Sequence, residues 1–324
     1  MEIERIFMKK NIEDKIDTQE SYFFPNGLPR KNLSTLRALK ASNEAQTKLE
    51  LENSWFWGIS PLMQKLKEDL KLAQESELTV LVIGETGSGK EMIAKTIYKQ
   101  HLAKYRYNEI EAPFTAVNCA AIPESLAESI LFGHERGAFT SARDRQYGKF
   151  ESSRKGLLFL DEIQNLSLNV QAKLLRVLQN KEIDRLGSKQ CAIIECRVVA
   201  ASNLPLEFLI DSGRFRKDLY YRLNICPIYI PALRHRKEDL PTLISGLQKK
   251  IEIANGIKAR EISPESFELM LNHNWPGNIR ELEHCLMYSG MRTQSGEIKA
   301  ESLPPQITGK LAHYLSAGEW QITD

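Results

Sequence analysis

The stretch Thr79-Val80-Leu81-Val82-Ile83-Gly84-Glu85-Thr86-Gly87-Ser88-Gly89-Lys90 decides the fold. Its apolar run predicts a buried strand, and the spacing of Met92, Ile93, Thr96 and Ile97 predicts a helix directly after the glycines. A strand, a glycine-rich turn and a helix start are the setting of a phosphate-binding loop. Glycines let the backbone approach an anion closely, and successive N–H groups converge on it at the positive helix end. Lys90 adds a point charge for the β- and γ-phosphates. Glu91 stands where the general pattern has Ser or Thr for magnesium, so a glycine turn that holds no nucleotide is the alternative on this stretch alone.

Outward from the loop, short apolar strands alternate with helical patterns, which predicts a parallel α/β sheet. Strands are expected at 79–83, 114–117, 156–160, 197–201 and 226–230, with helices near 91–105, 123–131, 169–180 and 205–210. A hairpin is expected over 182–195, turning at Gly187-Ser188. Pro61 opens an amphipathic helix carrying Leu62, Met63, Leu66, Leu70 and Leu72, and Trp55, Phe56 and Trp57 before it are expected to pack under the core. After Pro231 the pattern is helical to about residue 300. The expected division is a regulatory or docking segment at 1–53, an α/β nucleotide-binding domain at 54–232, a helical domain at 233–308 and a tail at 309–324.

Composition sets the class. A chain of 324 residues with 42% hydrophobic and 27% charged residues reads as an ordinary globular protein of about two domains. Its net charge of +2 is too small to argue for nucleic acid. No apolar run has the length of a membrane span and no signal-peptide pattern opens the chain, so a cytoplasmic protein without a membrane partner is expected. Five cysteines at irregular spacings, without metal-ligand spacing, read as reduced thiols.

A second element is Leu157-Leu158-Phe159-Leu160-Asp161-Glu162. Four apolar residues make a buried strand, and two carboxylates stand at its C-terminal end, where ligand sites of α/β sheets lie. In that place Asp161 would hold magnesium, directly or through water, and Glu162 would act as general base on the attacking water. An acidic pair at a strand end is also a common solvated helix start. Its position about 70 residues after the phosphate loop favours the catalytic reading.

Residues from about 58 to 300 resemble the central AAA+ domain of bacterial enhancer-binding proteins, the NtrC class that activates sigma-54 RNA polymerase. The resemblance is carried by Gly84 to Glu91, by Phe114-Thr-Ala-Val-Asn-Cys-Ala-Ala-Ile-Pro-Glu-Ser125, and by Leu131-Phe-Gly-His-Glu-Arg-Gly-Ala-Phe-Thr140. It continues through Leu158 to Ile163, Gln171 to Gln179, Phe215-Arg-Lys-Asp-Leu-Tyr-Tyr-Arg-Leu-Asn224 and Trp275-Pro-Gly-Asn-Ile-Arg-Glu-Leu282. These segments occur in family order over about three quarters of the chain. The implied fold is an AAA+ P-loop ATPase with a parallel five-stranded sheet and a smaller C-terminal α-helical lid domain. The implied cofactors are ATP and Mg2+, and glutamate after the loop lysine is common in the family, so Glu91 joins the nucleotide loop.

The resemblance also implies roles. Gly137-Ala138-Phe139-Thr140-Ser141-Ala142 is similar to the GAFTGA loop, which implies that Phe139 and Thr140 contact sigma-54. Ser141 replaces the second glycine, and its Cβ would cost about 1 kcal/mol at positive φ. Arg216 and Arg222 match arginine fingers given to a neighbouring subunit's γ-phosphate, worth ~10³–10⁵ in rate. Fingers acting in trans imply a homo-oligomeric ring, hexameric or heptameric. Asn118 is implied to restrain Glu162, Asn203 to be sensor I, and Arg280 to be sensor II. Asn278 and Glu281 read as a capping pair for the helix that carries Arg280.

Only about 20 residues follow the lid, with one lysine and no arginine, so no helix-turn-helix domain for promoter DNA is expected in this chain. The alternative function is a nucleotide-binding repressor or scaffold of the same fold that does not remodel sigma-54. Ser141 favours that alternative; Lys90, Asp161, Glu162, Arg216 and Arg222 oppose it.

Overall fold

The computed structural model describes residues 54–138, 144–188 and 190–309; the segment 1–53 and residues Phe139, Thr140 and Ser141 lie outside them. The main sheet has five parallel strands: β1 (Val80–Ile83), β2 (Phe114–Asn118), β5 (Leu157–Asp161), β8 (Arg197–Ser202) and β9 (Cys226–Tyr229), in the order β2-β5-β8-β1-β9. The central strands are buried along nearly their whole length because helices cover both faces. Pro227, which cannot donate to a ladder, lies in edge strand β9.

Strand alternation sends Val80 and Val82 to one face and Leu81 and Ile83 to the other. The first face packs on α1 (Pro61–Glu75) and α2 (Lys90–Tyr105) and continues into a helical bundle. The second packs on α3 (Glu124–Phe132), which leads into β3 (Gly133–His134), and on helices that follow the short pieces β4 (Gln146–Tyr147) and α4 (Lys149–Ser152). Those helices are α5 (Leu168–Asn180), α6 (Glu207–Asp211) and α7 (Lys217–Leu223). The expected hairpin is β6 (Glu182–Asp184) with β7 (Cys191–Ile193), and Gly187 takes positive φ in its turn. After β9 come α8 (Leu240–Asn255), α9 (Pro264–Asn272) and α10 (Asn278–Arg292), whose core includes Leu243, Leu247, Met270, Trp275 and Leu282.

Ser60 caps α1, with Pro61 at its first turn, and Met63, Leu66, Leu70 and Ala73 form the buried stripe. Leu62 and Leu72, expected on that stripe, are instead exposed, because spacings of three and four leave their side of the helix in solvent. Phe56 is buried beneath the glycine loop and Trp57 packs against the same core, as their composition implied. Among the described residues no helix is long and apolar enough to cross a membrane.

Candidate functional site

The glycine loop leaves the C-terminal end of β1 beside β8, and Gly84 N donates to Ser202 O at 3.1 Å. Gly89 has φ +106°, and a Cβ there would lie 2.3 Å from the Phe56 ring, so only glycine fits. It opens α2 without a capping side chain, which leaves the positive helix end to the loop. Lys90 folds back under the loop, donating from Nζ to Gly84 O (2.8 Å) and Glu85 O (3.2 Å). Burial pushes its ammonium below the ordinary lysine value, Asp161 and Glu162 pull it back up, and Arg280 adds to the lowering. Charges at the end of β5 and at the start of α10 therefore act on this lysine.

Ser88 Oγ is buried there without a hydrogen-bond partner. A glycine-lined cradle with a buried cation and an unpartnered hydroxyl fits a phosphate chain. Among the described residues no group of three or more His, Cys, Asp or Glu could hold a metal. Asp161 alone suits magnesium, which takes one or two carboxylates together with phosphate oxygens and water.

Asn118 pairs in register with Asp161, as their strand ends implied. Its amide oxygen, however, accepts from Ala120 N, and Glu162 is held by Asn165 Nδ2 at 3.1 Å instead of by Asn118. Glu162 sits at φ +54°, a left-handed conformation that costs a non-glycine residue about 1–2 kcal/mol and that gathers at functional sites. Asn203 follows β8 and accepts from Gln164 Nε2 at 3.0 Å, so the turn after the acidic pair reaches the end of β8. Glu91 points outward, paired with Lys95 at 2.7 Å across one helical turn.

Arg216 stands at the N-cap of α7 and Arg222 in its last turn, and neither side chain bonds the glycine loop or the acidic pair of its own chain. Arg216 forks onto Asp218 (3.0 and 2.7 Å), and Arg222 donates to Leu178 O (3.2 and 2.9 Å). Gln171, fully buried, donates to Leu166 O and Arg214 O and accepts from Arg216 N, so it fixes the entry to α7.

The flanks of 139–143 are tied to the β6–β7 hairpin. Glu135 N donates to Leu186 O and Leu186 N to Gly133 O. Arg185 forks onto Glu151 (2.8 and 2.7 Å) and also reaches Glu135 at 3.1 Å, which in turn pairs with Arg145.

Asn278 does not cap its helix as its spacing from Glu281 implied. The cap of α10 is Gly277, and only Glu281 plays its capping part, accepting from Gly277 N at 2.8 Å. Asn278 is fully buried at φ +52°, and its side chain leaves the helix for Glu85, Thr86 and Leu233. Arg234 forks onto Glu85 at 2.8 and 2.6 Å. An arginine after a proline gives no sign in sequence that it meets a loop about 150 residues earlier.

Residues 56–229 match the sigma-54 interaction domain family and residues 234–317 match the AAA+ ATPase lid domain family. The chain is 45% identical over 229 residues to the anaerobic nitric oxide reductase transcription regulator NorR of Aeromonas salmonicida, covering 71% of this chain and 44% of that protein. It is 40% identical over 291 residues to the regulatory protein AtoC of Escherichia coli, covering 87% of this chain and 62% of that one. Among solved structures, NtrX from Brucella abortus in complex with ATP superposes with a TM-score of 0.71 at 30% identity, over 89% of this chain and 62% of that chain. The chain thus spans roughly half of the length of the curated relatives it matches. A phosphate loop facing an acidic strand end, under a helical lid, on a sheet matched over these segments, makes this chain a member of the sigma-54 interaction domain family of AAA+ proteins.

Proposed function

We propose that this chain is the ATP-hydrolysing module of a sigma-54-dependent transcriptional activator, working as a homo-oligomeric ring, hexameric or heptameric. It remodels the closed complex of sigma-54 RNA polymerase so that the promoter can open. The observation that carries the reading is buried Lys90 folded into a glycine cradle, with Asp161 at a strand end of the same sheet and the backbone of Arg280 bonded to Gly87 O. ATP bound in a relative of the same fold supports the choice of nucleotide.

In this reading the cradle and Lys90 would hold the β- and γ-phosphates, and Asp161 would hold magnesium, which would supply positive charge against the phosphate oxygens. Glu162 takes the proton of the attacking water, with Asn165 orienting its carboxylate. Asn118 and Asn203 read the state of the γ-phosphate, and Arg280 does so from the lid. Arg216 and Arg222 make no bond to their own loop, which supports action on the neighbouring subunit's phosphates. Phe139 and Thr140 contact sigma-54, and the Arg185–Glu151–Glu135 ties join the β6–β7 hairpin to described residues that precede and follow them in the chain.

ATP turnover against protein concentration tests the reading, together with capture on sigma-54 in the presence of a transition-state nucleotide analogue. Specific activity should rise with concentration, and the analogue should promote capture. Turnover without capture would favour the binding-only regulator; a concentration-independent rate from a monomer would remove the ring.

A further inference from the structure

The start of α10 is held by the phosphate loop. The first N–H groups of an α-helix have no partner within the helix. Here Ile279 N donates to Gly87 O at 3.0 Å and Arg280 N shares the same oxygen at 3.4 Å. The loop can come this close because residue 87 is glycine: it has φ +74°, and a Cβ would lie 2.2 Å from Gly277 O.

One side chain organises the approach. Asn278 donates from Nδ2 to Glu85 Oε2 and to Thr86 O, both at 3.1 Å, and accepts from Leu233 N through Oδ1 at 2.8 Å. Glu85 is pinned from the other side by the Arg234 fork. An asparagine tolerates left-handed backbone, and it is the only amide-bearing residue type of this size with one donor group and one acceptor group. The phosphate loop, the 233–234 linker and the lid helix thus share one buried amide.

We propose that Asn278 is a positioning residue that locks Arg280 to the phosphate loop by using its amide donor on Glu85 and Thr86. This rests on the function proposed above, because it gives Arg280 its place relative to the phosphates. Asparagine to aspartate keeps the shape, the tolerated backbone and the acceptor for Leu233 N, but sets a carboxylate oxygen against Glu85. Loss of the lock should free Arg280 while leaving the cradle around Lys90 intact.

The test is amide hydrogen exchange on the full chain without nucleotide, followed by steady-state ATP hydrolysis. In Asn278→Asp, exchange of the Ile279 and Arg280 amides should accelerate tenfold or more, while amides in the middle of α10 stay within about twofold. Adding Glu85→Gln supplies a donor toward the new carboxylate and should return exchange to within about threefold of wild type. Asn278→Gly, which keeps the backbone conformation without strain, should accelerate the same two amides. In hydrolysis, Asn278→Asp should lower kcat tenfold or more with KM changed less than about threefold. Unchanged exchange at 279–280 in both single variants overturns the proposal. So does acceleration spread evenly along α10 that Glu85→Gln fails to reverse. A wild-type chain that does not hydrolyse ATP would sink the proposed function instead, and the exchange result would still stand.

Discussion

Replacing Asp239 by alanine should destabilise the whole described unit. Its carboxylate is fully buried and accepts from Ile59 N (2.6 Å), Ser60 N (2.7 Å) and Ser60 Oγ (2.7 Å). Ser60 is the cap of α1, so Asp239 ties the start of the α/β part to the linker before α8. Its charge also faces Arg236, which is fully buried, reaches Met63 Sδ and Ser88 O, and is pushed down to about 10 by burial, with Asp239 opposing that shift. Removing one partner from a buried charged cluster costs about 3–5 kcal/mol, much of it from donors and a cation left uncompensated. At about 2–4 °C per kcal/mol for a chain of this size, the melting temperature should fall by roughly 6–20 °C. Asp239→Asn keeps an acceptor oxygen but loses the charge, and should cost about half as much. Circular dichroism melts at pH 7.5 would read both variants. A drop under about 2 °C for the alanine variant would refute the claim that this carboxylate organises the junction.

Further outcomes are expected elsewhere. Glu162→Gln should retain nucleotide binding and lose most turnover, read by fluorescent-nucleotide titration beside phosphate release, because the cradle stays and the base goes. His273 should set an acid limit on the lid: burial lowers its pKa first, Lys237 adds to this, and Glu281 opposes. A histidine kept neutral by the fold gives stability that is present above its ordinary value of 6.5 and is lost as pH falls below it. Protonation would also break the bond from Trp275 N to Nδ1, so His273→Gln should flatten the fall in melting temperature between pH 7 and pH 5. Phe139→Ala should leave hydrolysis and assembly intact while abolishing capture of sigma-54, a loss of tenfold or more in affinity if the ring supplies ~1.5–3 kcal/mol.

The sheet was legible because its strands are uninterrupted apolar runs ending in glycines or carboxylates: Val80 to Ile83 before the loop, Leu157 to Leu160 before Asp161. The cradle was legible for the same reason, since phosphate chemistry demands local backbone geometry that local sequence must encode. What escaped was long-range polar pairing. Arg234, Arg236 and Asp239 look like a solvated charged turn, yet they meet Glu85, Ser88 and Ser60 across about 150 to 180 residues of chain. Asn278 and Glu281 have the spacing of a capping pair, and only the proximity of Gly87 and Glu85 turns the asparagine away from its own helix. Leu62 and Leu72 failed for a simpler reason: an apolar residue off the stripe of a short helix has no cover.

The most direct measurement is open-complex formation by sigma-54 RNA polymerase on a supercoiled promoter, with this chain supplied in solution at concentrations where its ATPase activity is saturated. The account predicts promoter melting with ATP, none with a non-hydrolysable analogue, and partial recovery when Glu162→Gln and Arg222→Ala proteins are mixed. Mixed rings would restore some interfaces with both residues intact. Vigorous ATP hydrolysis with no melting at any concentration would contradict it.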